Sequence, residues 1–525
     1  MRGPIPTVGA EPAALPRLRP PSAAPLRALL ALAGGVLLAG AFAPVDVWPL
    51  ALLAPALLMW LWQGRSPREA ARLGFLFSFG TFAAGTYWLY FSVHTLGHSP
   101  VWLAVVLMLG LAAIMGLYHA ALGYCTARWL PRAGLPGWLV VVPAAWLLME
   151  WWRGWFLSGF SWLSLGYSQT DTWFAGFAPV LGVYGISALL LVCAGALVAI
   201  VLGTRRQALV AAAVFVVPWG LGAALYWHSW THVSGPAATV AMIQGAIPQD
   251  DKWLESHRQA TLDLYESLTR RVLGTQLIVW PESAIADLAN NQVPFINQVY
   301  REAHEHGSAV VMGVLRAEGG EPDTRYYNSI MALGDQVSWY DKHHLVPFAE
   351  FFPVPQFVRA WLRIMALPYS DFTRGAEYQP PLPAAHLQLG ATICYEDAYG
   401  STMLQVLPVA NALVNVTNDA WFGHSSARHQ HFQIVRMRAL EAGRYLVRAA
   451  NDGISGVVGP HGEVIARAPE FAPAVLVSRI VPMMGLTPYA RVGNWPVISL
   501  AVLALAYGLW VRNDRGLRAR TAGKS

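Results

Sequence analysis

Three short strings in the C-terminal half of the chain each place one reactive side chain directly after an apolar, β-like run. They are Val279-Trp280-Pro281-Glu282-Ser283, Tyr340-Asp341-Lys342-His343-His344-Leu345-Val346-Pro347 and Thr392-Ile393-Cys394-Tyr395-Glu396-Asp397. At a strand end the rigid ladder holds the group while the following loop opens it to substrate. A thiol, a carboxyl and an ammonium are the groups that acyl transfer through a thioester requires. A thiolate attacks, a base takes its proton, and a fixed positive charge faces the developing oxyanion. A free thiol titrates at about 8.5 and is mostly protonated at neutral pH, so a base and a cation must activate it. Glu282 and Lys342 fit those roles, and the same carboxyl can return the proton to a leaving group.

Taken singly, each residue has a plainer explanation. Cys394 after an apolar strand reads as a small core residue, Glu282 as an acid near a helix start, and Lys342 as a solvated loop charge. Their joint occurrence in three specific strings reverses that reading. Of the three cysteines, Cys125 and Cys193 fall within or beside apolar runs, which leaves Cys394 alone in the polar part of the chain. No CxxC pattern exists, and His343, His344, His429 and His431 lack flanking acids at a ligand spacing. Neither a metal nor a cofactor is expected.

The elements that carry these strings sit in an unusual chain. Charged residues make up 13% and hydrophobic residues 55%, with a mean hydropathy of +0.39, where soluble proteins carry about 25% charge. Spanning a bilayer takes about 20 mostly apolar residues. Eight stretches qualify or come close: Leu26–Val45, Trp48–Trp62, Leu73–Val93, Val101–Cys125, Pro136–Trp151, Phe177–Leu202, Ala208–Trp227 and Trp495–Val511. The second and fifth are short enough to be read as re-entrant or buried helices. The net charge is +6, and such an excess raises nucleic acid or anionic lipid as partners. Here it lies in short arginine-bearing loops and the tail, so it is a topology signal and no nucleic-acid partner is expected. The basic segments are the lead-in of residues 1–25, the loops holding Arg65, Arg68 and Arg72, Arg128 and Arg132, and Arg205 and Arg206, and the tail from Arg512. The intervening loops carry at most Arg153. This alternation predicts both termini in the cytoplasm and residues 228–490 on the outer side. The expected organisation is a flexible basic N-terminus (1–25), a membrane domain of seven helices (26–227), an outer domain (228–490), an eighth helix (491–511) and a basic tail (512–525).

Within residues 228–490 the apolar runs shrink and become rich in Val, Ile and aromatics, bounded by Gly, Pro, Asn and Asp. Strands are predicted at Thr239–Ile247, Gln276–Trp280, Ala309–Leu315, Asn328–Leu333, Leu389–Cys394, Ala412–Val416 and Ile454–Val458. Helices are predicted at His257–Leu273, Asn291–His306 and His431–Ala442, and a turn at Pro460–Glu463. Strands alternating with helices predict a layered α/β domain with its own core.

The ordered strings W-P-E-S, D-K-H-H-L-V-P-F-A-E and C-Y-E-D resemble the nitrilase, or carbon–nitrogen hydrolase, superfamily. Combined with eight spans, they resemble the apolipoprotein N-acyltransferase family. Asn415-Val416-Thr417-Asn418-Asp419-Ala420-Trp421-Phe422-Gly423, the run from Gln430 to Arg444, Ile243 to Gln249 and Gly166-Tyr167-Ser168-Gln169 are similar to that family too. The resemblance implies an αββα sandwich and a Glu-Lys-Cys triad at Glu282, Lys342 and Cys394. It further implies supporting roles for Glu350, Tyr395 and Glu396, and a substrate-side aromatic at Trp253. Ala349 and the Ser425–His429 segment depart from the family pattern in loop detail. The implied reaction is ping-pong: a phospholipid, typically phosphatidylethanolamine, acylates Cys394, and the α-amine of a diacylglyceryl-cysteine at a lipoprotein N-terminus takes the chain. The implied setting is the bacterial inner membrane, with the catalytic domain of a monomer on the periplasmic side. Aromatic residues between Trp146 and Trp162 suit an interfacial belt, and Arg153 is a candidate partner for a lipid phosphate.

Two alternatives use the same residues differently. A membrane-tethered amidase would hand the acyl group to water, for which one anchoring helix is enough. A transporter or receptor would need polar groups along a pathway through the spans, where Glu150 is the main acid.

Overall fold

The computed structural model describes residues 19–130, 134–320, 323–351 and 372–522, with side chains as far as Arg512. Most of the basic lead-in and the side chains of the tail lie outside the described residues. Each of the eight apolar stretches forms a helix: α1 Ala24–Ala39, α2 Leu50–Leu61, α3 Pro67–Gly85, α4 Val101–Trp129, α5 Gly134–Arg153, α6 Ala178–Leu202, α7 Arg205–Tyr226 and, near the end, Trp495–Ala522. Among the described residues, five of them (α4 to α7 and the last) are long and apolar enough to cross a membrane. Their starts follow from local chemistry. The Ser66 hydroxyl accepts from Glu69 N ahead of Pro67 in the first turn of α3, and Thr204 and Gln207 form a reciprocal cap on α7, satisfying amide donors that no helix can satisfy internally. Between helices, small residues permit backbone contact: Gly123 of α4 lies against the Ala70 carbonyl of α3.

Two six-stranded sheets form the outer part of the molecule. The first has the order β13-β2-β3-β4-β5-β6 and the second β12-β11-β10-β9-β8-β7. In the first sheet β2 is Ala238–Gln244, β3 Leu277–Val279, β4 Ala309–Glu318, β5 Arg325–Leu333, β6 Val337–Asp341 and β13 Ala474–Ile480. In the second β7 is Leu382–Ala384, β8 Leu387–Ile393, β9 Ala412–Thr417, β10 Leu446–Ala450, β11 Gly456–Val458 and β12 Val464–Arg467. A small ribbon pairs β1 (His232–Val233) with β14 (Met483–Met484). The period of two decides what each face buries. Val240, Met242, Leu277 and Val279 meet Leu389, Ala391, Ile393, Val414 and Val416 between the sheets. The alternate residues Ala241, Ile243, Ile278 and Trp280 pack under two outer helices, α9 (Glu255–Arg270) and α10 (Val293–Glu305). Between β2 and α9 lies a single helical turn, α8 (Gln249–Lys252).

The second sheet is covered by α11 (Ala427–Ala442), which completes an αββα sandwich. One side of α11 packs Phe432, Val435 and Ala439 against Leu413, Leu446 and Val458 of the sheet. Its other side packs Ile434, Met437 and Leu440 into the core of the apolar helices. A helix buried on all sides shows no amphipathic stripe, and α11 meets its polar residues with specific partners instead. Trp162 Nε1 donates to Gln430 Oε1 (2.7 Å), Val183 N donates to Glu441 Oε1 (2.8 Å), and Arg436 Nη1 donates to Asp171 (2.7 Å). The last apolar helix, Trp495–Ala522 (α12), packs against α5.

The seven expected strands all form, with ends shifted by no more than three residues, and the Pro460–Glu463 turn joins β11 to β12. Sequence periodicity did not reveal β6, β7, β10, β12 or β13. β10 buries Arg448 mid-strand, while β12 and β13 are sheet-edge strands that expose apolar residues (Val464, Ile465 and Val477), so neither shows an apolar-in, polar-out alternation.

One tight contact carries a stability consequence. A Cβ on Gly313 of β4 would sit 2.5 Å from both Glu282 Cα and the Pro281 carbonyl oxygen, whereas on Gly390 of β8 its close contacts would be side-chain tips, Leu413 at 2.9 Å and Val406 at 3.1 Å. Overpacking against backbone costs about 1–3 kcal/mol. Gly313→Ala is therefore expected to lower the thermal midpoint in detergent clearly more than Gly390→Ala; equal midpoints would contradict this packing.

Candidate active site

Glu282, Lys342 and Cys394 converge from different strands. Glu282 follows β3, where Pro281 cannot donate to the ladder and so ends it, while Trp280 N still donates to Val311 O at 2.8 Å. The Trp280 indole anchors this corner by donating to Thr269 Oγ1 at 3.0 Å and stacking on Tyr265. Lys342 follows β6, and its N–H donates to Asn328 O of β5 at 2.8 Å. Cys394 follows β8 with φ +51°, a left-handed conformation that a non-glycine residue holds only where its surroundings over-determine it.

The ammonium of Lys342 is 1% exposed and bonds to two carboxylates, Glu350 Oε1 at 2.9 Å and Glu282 Oε1 at 3.4 Å. Asn328 Nδ2 donates to the same two oxygens, at 2.8 Å each, and Asn418 N donates to Glu282 Oε2 at 2.9 Å. Glu350 is fixed from its other oxygen by Val346 N at 2.8 Å. Burial opposes the charge on Lys342, but Glu350, Glu282 and the neighbouring thiol outweigh it and raise the ammonium above its ordinary value. Burial, reinforced by the Glu282 carboxylate, pushes the Cys394 thiol well up, against the pull of Lys342 and a hydrogen bond from Thr417. The resting sulfur is therefore a thiol, so attack requires a base at hand. Lys342 is a permanent cation beside it.

The residues after Cys394 hold its turn. Glu396 accepts from His343 N (2.8 Å) and His344 N (3.0 Å) on one oxygen, and from Ile393 N (2.9 Å) and Tyr340 Oη (3.0 Å) on the other. It thus ties the cysteine strand to the lysine loop. Burial still lifts its carboxyl to about 7, opposed by the His344 and Ile393 N–H bonds and by Lys342. Beneath it, Arg448 donates to Asn415 Oδ1 (2.6 Å) and Asp419 (2.8 Å) and pairs with Asp397 (3.4 Å). His431 Nδ1 lies 3.0 Å from Asp419, and its Nε2 lies 3.2 Å from the Cys394 carbonyl. Burial alone would raise Asp419, yet Arg448 and His431 hold it far below the carboxylate range.

The other expected residues separate into groups. Glu350 and Glu396 lie within the cluster. Tyr395 turns away from it, its ring stacked on Trp162 and its hydroxyl donating to Gly159 O at 3.4 Å. Trp253 stands on the surface, 47% exposed, directly after α8. Arg153 is corrected: it does not reach a lipid phosphate but is buried, donating to Phe160 O (2.8 Å), Trp162 O (2.7 Å) and Ser164 Oγ (3.1 Å). The exposed apolar edge beside the site is instead Trp152, Trp155, Phe156 and Leu157, the last 83% exposed. That loop is bonded to the site's far wall through Tyr399 Oη to Ser158 O (2.6 Å) and Ser161 Oγ to Ala398 O (2.8 Å). The histidines serve as structure: His343 Nδ1 lies 2.9 Å from Gly375 O, and His344 stacks on Tyr399.

Sequence reading missed Asn328, Arg448 and Lys252. The first two lie in mid-strand with no local pattern to expose them. Lys252 stood beside Trp253 in D-K-W, and a buried lysine looks like any other lysine in a sequence. Asn418 and Asp419 were visible only as part of the N-D-A-W-F-G string.

An αββα sandwich with a cysteine, a glutamate and a lysine gathered at its strand ends, seated on a bed of apolar helices, defines a membrane-associated protein of the nitrilase fold. Residues 239–489 match the carbon–nitrogen hydrolase family, and residues 34–196 match the apolipoprotein N-acyltransferase N-terminal domain. The apolipoprotein N-acyltransferase of Methylococcus capsulatus is 42% identical, over 94% of this chain and 98% of its own. That of Pseudomonas putida is 40% identical, over 92% and 96%. A solved carbon–nitrogen hydrolase from Helicobacter pylori is similar over 47% of this chain and 89% of its own, at 16% identity and a TM-score of 0.36. The chain belongs to the apolipoprotein N-acyltransferase family.

Two measurements test the buried network. Removing one member of a buried ion cluster costs about 3–5 kcal/mol, so Arg448→Met is expected to destabilise by that amount in denaturant titration, and Arg448→Met with Asp419→Asn by less. Because the folded state keeps a proton on Glu396 up to about 7, its contribution to stability is complete below the unfolded value near 4.5 and is lost as pH rises through 7. The difference in thermal midpoint between the wild type and Glu396→Gln should shrink over that window; a constant or widening difference would rule the assignment out.

Proposed function

We propose that the protein carries an acyl chain from a phospholipid, through a thioester on Cys394, to the α-amine of a diacylglyceryl-cysteine at the N-terminus of an apolipoprotein. One observation carries this reading: the Cys394 thiol stands with a buried Glu282–Lys342–Glu350 cluster on a domain docked to apolar helices. Glu282 takes the thiol proton as Sγ attacks the ester carbonyl carbon, and Lys342 stabilises the oxyanion. The carbonyl–oxygen bond to glycerol then breaks, and Glu282 returns the proton to the departing lysophospholipid. In the second half the amine attacks the thioester, Glu282 takes the nitrogen proton, and the thiol is restored as the carbon–sulfur bond breaks. Glu350 holds Lys342, Glu396 holds the Cys394 turn, Tyr395 contributes to the acyl-side wall and Trp253 meets substrate at the surface. Phosphatidylethanolamine is the proposed donor.

The membrane arrangement supports the same reading. We assign α1 to α7 and α12 as eight spans, α1 to α3 completing the five of sufficient length and apolarity. The arginine pattern then puts both termini in the cytoplasm and residues 228–490 on the periplasmic side of the inner membrane, in a monomer. Exposing an acyl chain to water costs about 0.8 kcal/mol per CH₂, so the thiol belongs at the bilayer surface. The apolar edge at Trp152–Leu157 provides for that.

Incubating purified protein with acyl-labelled phosphatidylethanolamine should trap one labelled acyl group on Cys394 as a hydroxylamine-labile thioester, and added apolipoprotein should discharge it. Cys394→Ser and Glu282→Gln should each lower transfer by about three orders of magnitude or more. Transfer surviving Cys394→Ser, or release of label only as free fatty acid, would refute the proposal.

A further inference from the structure

Lys252 is a second buried ammonium at this site, and the triad leaves it unused. It is 2% exposed, ends the α8 turn, and donates from Nζ to the main-chain oxygen of Glu282 at 3.2 Å. Its charge interacts with two groups, Glu282 and Cys394. No other hydrogen bond engages its Nζ among the described residues, so two of its three donors remain free beside the thiol. The same turn grips the site a second time, because Gln249 Oε1 accepts from Asn418 Nδ2 at 2.8 Å while Asn418 N holds Glu282 Oε2. A charge taken fully out of water persists only where it has a partner, and a backbone carbonyl is a weak one. We infer that Lys252 is a further active-site cation: it positions Glu282 from behind and stabilises negative charge on the sulfur side of the reaction, complementing Lys342 on the carboxylate side.

Burial lowers Lys252 to about 8, with Glu282 and Cys394 pulling the other way, so its charge is available at neutral pH. The groups facing the thiol are Glu282, Lys342, Asp419, Thr417 and Lys252. On its own turn Lys252 neighbours Asp251 and Asp250, the latter 3.4 Å from His98 of the α3–α4 connection. Of these, Lys252 and Lys342 are the cations that favour the thiolate, and removing a neighbouring opposite charge shifts a titration by about one unit or more.

This inference rests on Cys394 as the nucleophile. Its test is the rate of iodoacetamide alkylation at Cys394 in the full-length protein in detergent, read from pH 6 to 10 by mass spectrometry of the Cys394 peptide. Lys252→Met should slow the reaction about tenfold at pH 6 to 7, where Lys252 is charged, and the difference from wild type should fade above pH 8 as the wild-type ammonium loses its proton. Lys252→Arg, which keeps the charge, should stay within about threefold of wild type at pH 7. An unchanged rate in Lys252→Met overturns the inference. Equal slowing in Met and Arg variants, uniform across the pH range, does so as well, since that marks a packing role. If the Met variant does not fold, Lys252→Gln makes the same comparison. Phospholipid-to-apolipoprotein transfer by the wild type, run in parallel, reports separately on the proposed function.

Discussion

The buried ammonium of Lys342 constrains the site more than any other group. An uncompensated charge in such a place costs several kcal/mol, so the fold must deliver carboxylates to it, and Glu350 and Glu282 arrive at 2.9 and 3.4 Å. Each carboxylate is then pinned by further donors: Asn328 serves both, Asn418 N holds Glu282, and Val346 N holds Glu350. Satisfying one cation in this way locks the ends of β3 and β6, the middle of β5 and the loop after β9 into a single geometry. Glu282 is thereby held in one orientation, which is the condition for electrostatic preorganisation.

The cysteine turn depends on a second set of bonds that meets the first. Cys394 adopts a left-handed conformation, and the four donors converging on Glu396 hold the loop that enforces it. Two of those donors, His343 N and His344 N, belong to the residues directly after Lys342. The left-handed turn at Cys394 and the position of the Lys342 cation are therefore maintained by one carboxyl group. Below it, Arg448, Asp397, Asp419 and His431 form a buried ionic floor whose members are each partnered. Buried networks of this kind are rigid when complete and costly when any member is lost.

Docking on the apolar helices changes what a nitrilase-fold domain can reach. In α11 nearly every side chain is buried, because one face serves the sheet and the other serves the membrane side. The contact is riveted by Trp162 to Gln430, Val183 to Glu441 and Arg436 to Asp171, so the cysteine turn and the exposed Trp152–Leu157 edge keep a fixed relation.

Residue patterns alone determined the apolar stretches, the α/β character of the outer segment and the three strings bearing Glu282, Lys342 and Cys394. These are local properties: hydrophobic run length, β-branched runs and polar groups next to breakers such as Pro281. Glu350 and Glu396 were marked only through the family that the strings containing them resemble. Tertiary structure alone decided which buried polar groups come together. Asn328 reaches Glu282 across the sheet, Lys252 reaches it from a separate turn, and Arg153 spends its donors on carbonyls of its own loop. β13 escaped periodicity because its partner β2 is distant in sequence, and β10 and the edge strand β12 because a buried Arg448 and the exposed Val464 and Ile465 break the expected alternation. The partners of a buried charge are likewise set by distances that exist only after the chain has folded, which is why the strings bearing Glu282, Lys342 and Cys394 were legible and the cations and amides around them were not.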